Sequence, residues 1–66
     1  AEIGEAVRLA VAALPEEQRM VFVLSRYQGL EYPEVAEVLG IPLGTVKSRM
    51  SRAIRALRDE LKGLLP

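Results

Sequence analysis

Residues 31–52 read EYPEVAEVLGIPLGTVKSRMSR, and this stretch decides the fold of the chain. It predicts two helices joined by a short turn, because Gly40 can adopt the left-handed conformation that commonly ends a helix. Ala36 is small enough to let the helices approach closely, and Ile41 and Val46 supply apolar contacts at the corner. This arrangement is typical of a helix-turn-helix, whose second helix enters the major groove of DNA. Packing alone imposes these requirements, so any angled pair of helices can show them.

Two more helices are predicted on the N-terminal side of this pair. The first ends at Leu14, because a residue that precedes proline disfavours the helical conformation. Its apolar stripe consists of Ile3, Ala6, Val7, Ala10, Val11 and Leu14. Pro15 opens the second helix, which is apolar on more than one side and is predicted to be the central core helix, and Gly29 ends it. We therefore expect an all-α, compact four-helix domain over residues 1–66, with helices at approximately 3–13, 15–28, 32–39 and 44–62.

Five single residues carry expectations of their own. Glu31 is predicted to cap the third helix, although Ser, Thr or Asp would be a better cap. Gly63 is expected to end the fourth helix. The two methionines, Met20 and Met50, are expected in the core, and Arg19 is expected to pair with a nearby acidic side chain.

The net charge of the chain is zero, but the charges are divided along the sequence. Residues 1–46 contain seven acidic and three basic side chains, for a net charge of −4. Residues 47–66 contain six basic and two acidic side chains, for a net charge of +4. Such a division indicates that one part of the molecule meets a charged partner.

The fourth helix has two distinct faces when each residue is advanced by about 100° from Lys47. The face at about 240° to 340° is apolar and is expected to join the core. It contains Val46, Met50, Ala53, Ile54, Leu57 and Leu61. The sector at about 0° to 140° is basic or hydroxylated, with Asp59 as its only acid. We call this sector the basic face, and it contains Lys47, Ser48, Ser51, Arg52, Arg55, Arg58 and Lys62.

Side chains of these types suit a surface that reads DNA. Lys and Arg bind phosphates or the edge of guanine, and Ser donates hydrogen bonds to bases or phosphates. Only the first turns of a long helix can lie deep in a groove, so Lys47, Ser48, Ser51 and Arg52 are predicted to lie near the bases. Arg55 and Arg58 are predicted to meet the backbone or solvent. The alternatives are a basic face that is merely solvated and a helical protein-interaction module whose basic face meets an acidic protein.

The composition excludes several classes of function. The chain has neither Cys nor His, so it lacks the thiol nucleophile, the usual general base and the commonest transition-metal ligands. We therefore expect no catalytic site, no metal site and no cofactor. No apolar run approaches the roughly 20 residues that cross a bilayer, so no membrane partner is expected. The lack of Cys fits the cytoplasm, and Ala at position 1 suggests either a piece of a longer chain or a processed terminus.

Seven short motifs follow one another between residues 14 and 58. They are Leu14-Pro15-x-x-x-Arg19, Gly29-Leu30, Glu34-Val35-Ala36, Leu39-Gly40-Ile41-Pro42, Gly44-Thr45-Val46-Lys47-Ser48-Arg49, Arg52-Ala53 and Leu57-Arg58. Together they resemble region 4 of sigma-70-type transcription initiation factors. The string from Gly44 to Arg49 resembles most closely the extracytoplasmic-function (group four) branch of that family.

This resemblance implies that a helix-turn-helix at residues 32–62 binds the minus-35 element of promoters. It also implies docking on the flap of the RNA polymerase beta subunit, and an anti-sigma factor as a further partner. The family's groove-facing positions correspond to Lys47, Ser48, Ser51 and Arg52, and its backbone-contacting positions to Thr45 and Arg49. The promoter-melting region of the family has no counterpart here, so the chain is not expected to act as a complete initiation factor.

Overall fold

The computed structural model describes the backbone of residues 2–64 and the side chains of residues 4–63. The chain forms α1 at Glu2–Ala12, α2 at Glu16–Phe22, a π-helical segment at Val23–Tyr27, α3 at Tyr32–Leu39 and α4 at Leu43–Leu61, followed by a 3-10 turn at Lys62–Leu64. The fold is all-α with four helices, as predicted. The side chain of Ile3, expected in the stripe of the first helix, lies outside the described residues.

α1 packs its apolar stripe against the C-terminal half of α4. Ala10, Val11 and Leu14 are buried together with Ala53 and Leu57, and we call these five residues the first core cluster. The apolar spacing along α1 is therefore a correct prediction, because it places these side chains on one face of the helix.

Arg19 closes the C-terminal end of α1. Its Nη1 donates hydrogen bonds to the carbonyl oxygens of Ala12, at 3.2 Å, and Leu14, at 2.9 Å. The expectation that Arg19 pairs with an acidic side chain is therefore wrong. Carbonyls at the end of a helix lack helical partners and lie at its negative pole, so a guanidinium satisfies them well.

The second predicted helix is not α-helical throughout. Its α-helix ends at Phe22, and the π-helical segment follows, with the Gln28 amide donating to the Val23 carbonyl at 3.0 Å. Phe22 packs against both core clusters, Val23 against the first and Leu24 against the second, so the segment lies where the two clusters meet. Gly29, with φ of 75°, ends the helical path as predicted.

Met20 is not a core residue, contrary to the prediction. Its side chain is 43% exposed, whereas the neighbouring Val21 is completely buried. Successive residues of a helix point about 100° apart, so only one of the two can point directly into the core. Val21 occupies that position, and Met20 lies at the edge of the α2 face.

The predicted helix-turn-helix is present between α3 and α4. Gly40 has φ of 68°, and the Ile41 amide donates to the Ala36 carbonyl at 3.1 Å, which closes the turn. At the other end of α3, the Glu31 amide at the N-cap donates to Glu34 Oε1 at 2.8 Å, in the manner of a capping box. The two helices bury a second core cluster together with α2. It contains Val21, Val35, Ala36, Val46 and Met50.

The ends of α4 differ slightly from the prediction. The helix begins at Leu43, one residue early, because Pro42 acts as the N-cap and its carbonyl accepts hydrogen bonds from the amides of Thr45 and Val46. Gly63 does not end the helix in a left-handed conformation. It lies inside the 3-10 turn that tightens the C-terminal end of the helix.

Candidate nucleic-acid interface

α4 presents its two faces as the sequence predicts. Val46, Met50, Ala53 and Leu57 are buried, which confirms the apolar face. The residues of the basic face are all exposed to solvent: Lys47, Ser48, Ser51, Arg52, Arg55, Arg58 and Lys62. Over the part of the chain that the structure describes, the ion pairs are Glu5–Arg8 and Glu17–Arg49. No described carboxylate is therefore paired with the basic face, and its charge is available to an anionic partner.

Thr45 and Arg49 lie on the flank of α4 that faces α2, about 160° and 200° from Lys47. Both residues are partly buried. Arg49 Nη2 lies 3.3 Å from Glu17 Oε2, and the Arg49 side chain is only 26% exposed. The structure therefore groups Thr45 and Arg49 apart from the basic face, and Glu17 orients the guanidinium of Arg49.

A cavity of about 310 Å³ opens between α3 and α4. We call it the α3–α4 cavity, and it is lined by Tyr32, Lys47, Ser51, Ile54, Arg55 and Arg58. The ring of Tyr32 packs partly buried against the second core cluster. The sequence did not predict that Tyr32 lies beside the three cations of the cavity lining, Lys47, Arg55 and Arg58. Tyr32 is the first residue of α3, the first helix of the helix-turn-helix. This placement is the only feature of the sequence that suggests a position beside α4.

An apolar groove runs between α2, the π-helical segment and α3, with a volume of about 390 Å³. We call it the α2–α3 groove, and it is lined by Arg19, Met20, Val23, Leu24, Val38 and Leu39. Val38 is 62% exposed, although it is a large apolar side chain. None of these six residues belongs to α4, so a ligand on the basic face would leave the groove open. Contiguous exposed apolar surface of this kind marks sites of protein–protein contact.

Two features are absent from the described residues. Within residues 2–64, no helix has the length and apolar character needed to cross a membrane. Within the same residues, no group of three or more acidic, His or Cys side chains is arranged to hold a metal ion.

Comparison with known proteins places these features in a family. A family model described as "Sigma-70, region 4" matches residues 4–57. The ECF RNA polymerase sigma-E factors of Escherichia coli (strain K12) and Salmonella typhimurium (strain LT2) are each 36% identical over 64 residues, which cover 97% of this chain and 34% of theirs. The ECF RNA polymerase sigma factor SigW of Bacillus subtilis (strain 168) is 38% identical over 63 residues, which cover 96% of this chain and 34% of its own. The chain thus spans about one third of the length of these curated relatives.

Proposed function

The chain belongs to the sigma-70 region 4 family, and on that premise we propose that it is a sequence-specific DNA-binding module of a bacterial transcription initiation factor. It recognises the minus-35 element of promoters through α4 and acts as one domain, with the helix-turn-helix at residues 32–62. The observation that carries this proposal is the exposed basic face of α4, which lies opposite the buried face of the same helix.

The N-terminal turns of α4 read the bases in this proposal. α4 has 19 residues and is about 28 Å long, so it cannot lie in the major groove over its whole length. Lys47, Ser48, Ser51 and Arg52 lie in its first turns and reach base edges. Arg55, three residues beyond Arg52, contacts the backbone.

Thr45 and Arg49 contact the sugar-phosphate backbone on the flank of α4 that faces α2. The contact with Glu17 is consistent with this role, because it occupies one of the five N–H donors of the guanidinium and leaves others for a phosphate. Glu17 then holds the planar group in one orientation. An arginine held in this way loses less side-chain freedom on binding than a solvated one.

Binding to duplex DNA is expected to weaken steeply with salt. With about four to six phosphates neutralised, the logarithm of the association constant should fall with the logarithm of salt concentration at a slope of roughly −4 to −5. Fluorescence anisotropy titrations of a labelled duplex at several salt concentrations measure this slope. A flat response would contradict the proposal, because it would show that the basic face does not meet phosphates.

The α2–α3 groove supports a second role, docking on core RNA polymerase. The resemblance implies the flap of the beta subunit as the docking site, and we place this contact in the groove. The groove is apolar, partly exposed and free of α4 residues, so DNA and polymerase can be bound together. In this proposal the chain works in the cytoplasm as a binding module, with no catalytic site and no cofactor.

Val38→Glu is expected to weaken binding to the isolated beta flap at least tenfold, because it places a carboxylate in the apolar groove. The affinity of the Val38→Glu variant for DNA should stay close to that of the unsubstituted chain. Leu9→Glu is the matched control, since Leu9 is another exposed apolar helix residue and does not line the groove. Calorimetry with the flap and anisotropy with DNA measure the two affinities. Equal effects of the two variants on flap binding would place the docking surface elsewhere.

A helical protein-interaction module remains the alternative, with an anti-sigma factor or other acidic protein on the basic face. The uncompensated charge of that face would suit either an acidic protein or DNA. Competition separates these arrangements, because a protein partner that covers the basic face must displace DNA. A partner that binds only the α2–α3 groove would leave DNA bound.

A further inference from the structure

We propose that the α3–α4 cavity binds successive phosphates of one DNA strand, and that Tyr32 and Arg58 are the residues that position this strand. The inference rests on the proposed DNA-binding function and deepens it. Tyr32 is not among the residues predicted from the sequence to contact DNA, and Arg58 is predicted only to meet the backbone or solvent. The Tyr32 hydroxyl and the Arg58 guanidinium are the donors at issue.

The lining of the cavity has the chemistry of a phosphate site. Lys47, Arg55 and Arg58 supply three positive charges, and Tyr32 and Ser51 supply two hydroxyls. Ile54 is the one apolar member, and no acidic residue is among the six that line it. Lysine offers a point charge, arginine a fork of N–H donors, and hydroxyls further hydrogen bonds, which together match the oxygens of phosphodiesters.

The position of the cavity favours the backbone over the bases. Lys47, Arg58 and Ser51 lie at about 0°, 20° and 40° around α4, at one edge of the basic face, whereas Ser48 lies near its middle at about 100°. Lys47 and Ser51 also lie in the first turns of α4, so they can contact a base and the bordering strand together. Arg55, at about 80°, is nearer the middle of the face but lies further along the helix. The edge of a helix in the major groove meets the strand that borders the groove. Tyr32 comes from α3, the first helix of the helix-turn-helix, and in this motif the first helix crosses the backbone.

The position of Arg58 along the axis of α4 also indicates a contact with the DNA backbone. Arg58 follows Lys47 by eleven residues, which places it about 16 Å further along the helix axis. A straight helix of this length leaves the floor of the groove well before that point. A guanidinium there can still reach phosphates, which stand outermost on the duplex.

Tyr32 is well suited to position the strand because its ring is held by the protein core. The ring packs partly buried against the second core cluster, as does Ile54, which lines the same cavity. Its hydroxyl therefore has a defined place before DNA arrives. Backbone contacts of this kind set the register and angle of a protein on DNA without reading sequence, so the cavity would place Ser48 and Arg52 over their bases.

Tyr32→Phe and Arg58→Gln test the proposal. Both keep most of the side chain, and each is expected to weaken binding about fivefold to tenfold, on a duplex selected from a random pool by this chain and on an unselected duplex alike. Arg58→Gln should also reduce the salt slope by about one. Tyr27→Phe and Arg8→Gln are the matched controls, because both residues are exposed and lie outside the cavity. Their affinities should stay within about twofold of the unsubstituted chain.

Methylphosphonate substitution of single phosphates on the selected duplex gives an independent readout. Neutralising the phosphates in the cavity should weaken binding of the unsubstituted chain and should weaken binding of Arg58→Gln much less, since the two changes remove the same contact. Circular dichroism checks that the variants are folded. If Tyr32→Phe is not, the methylphosphonate series with Arg58→Gln decides the question alone.

The outcomes separate this inference from the proposed function. A chain that binds neither duplex would contradict the DNA-binding proposal itself. If the chain binds DNA with the expected salt slope but Tyr32→Phe and Arg58→Gln behave like their controls, only the phosphate site is wrong. A change of base preference in either variant would also overturn it, because the residue would then read bases.

Discussion

Met50→Ala is expected to destabilise the folded chain by about 2–5 kcal/mol, the usual cost of truncating a fully buried methionine. Met50 is 1% exposed and is the largest of the completely buried side chains. It lies in the second core cluster, which joins α2, α3 and α4. A chain of 66 residues has a total stability of only about 3–10 kcal/mol, so the substitution removes much of it. Urea unfolding followed by circular dichroism measures the loss.

Met20→Ala is the matched control for this prediction, because it removes the same atoms from the same residue type. Met20 is partly exposed at the α2–α3 groove, so its truncation leaves little cavity and should cost less than about 1 kcal/mol. The ratio of the two effects tests the burial assignment directly. Similar losses of unfolding free energy in Met20→Ala and Met50→Ala would contradict the burial assignment. They would support the sequence prediction that both methionines lie in the core.

The course of the helix-turn-helix could be predicted from the sequence because local rules fix it. Gly40 is one of two glycines with positive φ among the described residues, and the turn depends on its left-handed conformation. The two faces of α4 follow from the period of the helix, and the buried positions agree with that period at Val46, Met50, Ala53 and Leu57. In each of these cases the residues that determine the structure lie within about one or two helical turns of one another in the sequence.

The sequence gives no signal where the structure depends on contacts between distant segments. The π-helical segment contains neither Gly nor Pro, and it lies where side chains must serve two core clusters at once. Arg19 binds carbonyls of the preceding helix, a partner that no pattern of charges reveals. Tyr32 joins the α3–α4 cavity only because α3 crosses α4. Spacing along the chain cannot show any of these arrangements.

The zero net charge illustrates the same point for the candidate site. Taken over the whole chain, it gives no reason to expect an anionic partner. The division of charge along the sequence indicates where basic residues concentrate, and the helical period places most of them on one face. The structure adds that Arg49 is turned toward Glu17, away from that face. The two flanks of α4 therefore reach different surroundings, with Glu17 on one side and Tyr32 on the other.

Arg52→Ala is expected to weaken binding to the selected duplex by about 1–3 kcal/mol and to relax the preference at one base pair. Arg52 is exposed, lies at the midpoint of α4 and can offer two N–H donors to the O6 and N7 atoms of a guanine. Because the substitution removes both hydrogen bonds to the guanine, it lowers the preference for that base as well as the positive charge of the helix. Affinities for the selected duplex and for single-base variants of it measure both effects, and a new selection with the variant shows which position has relaxed.

Arg55→Ala is the control that separates reading from charge. Arg55 lies on the same exposed face less than one turn further along α4, and its loss removes the same charge from the helix. As a backbone contact it should weaken binding to every duplex by a similar factor and leave the base preference unchanged. If Arg52→Ala also lowers affinity uniformly, Arg52 is a backbone contact too. Base reading would then fall to Lys47, Ser48 and Ser51, which lie closer to the N-terminus of α4.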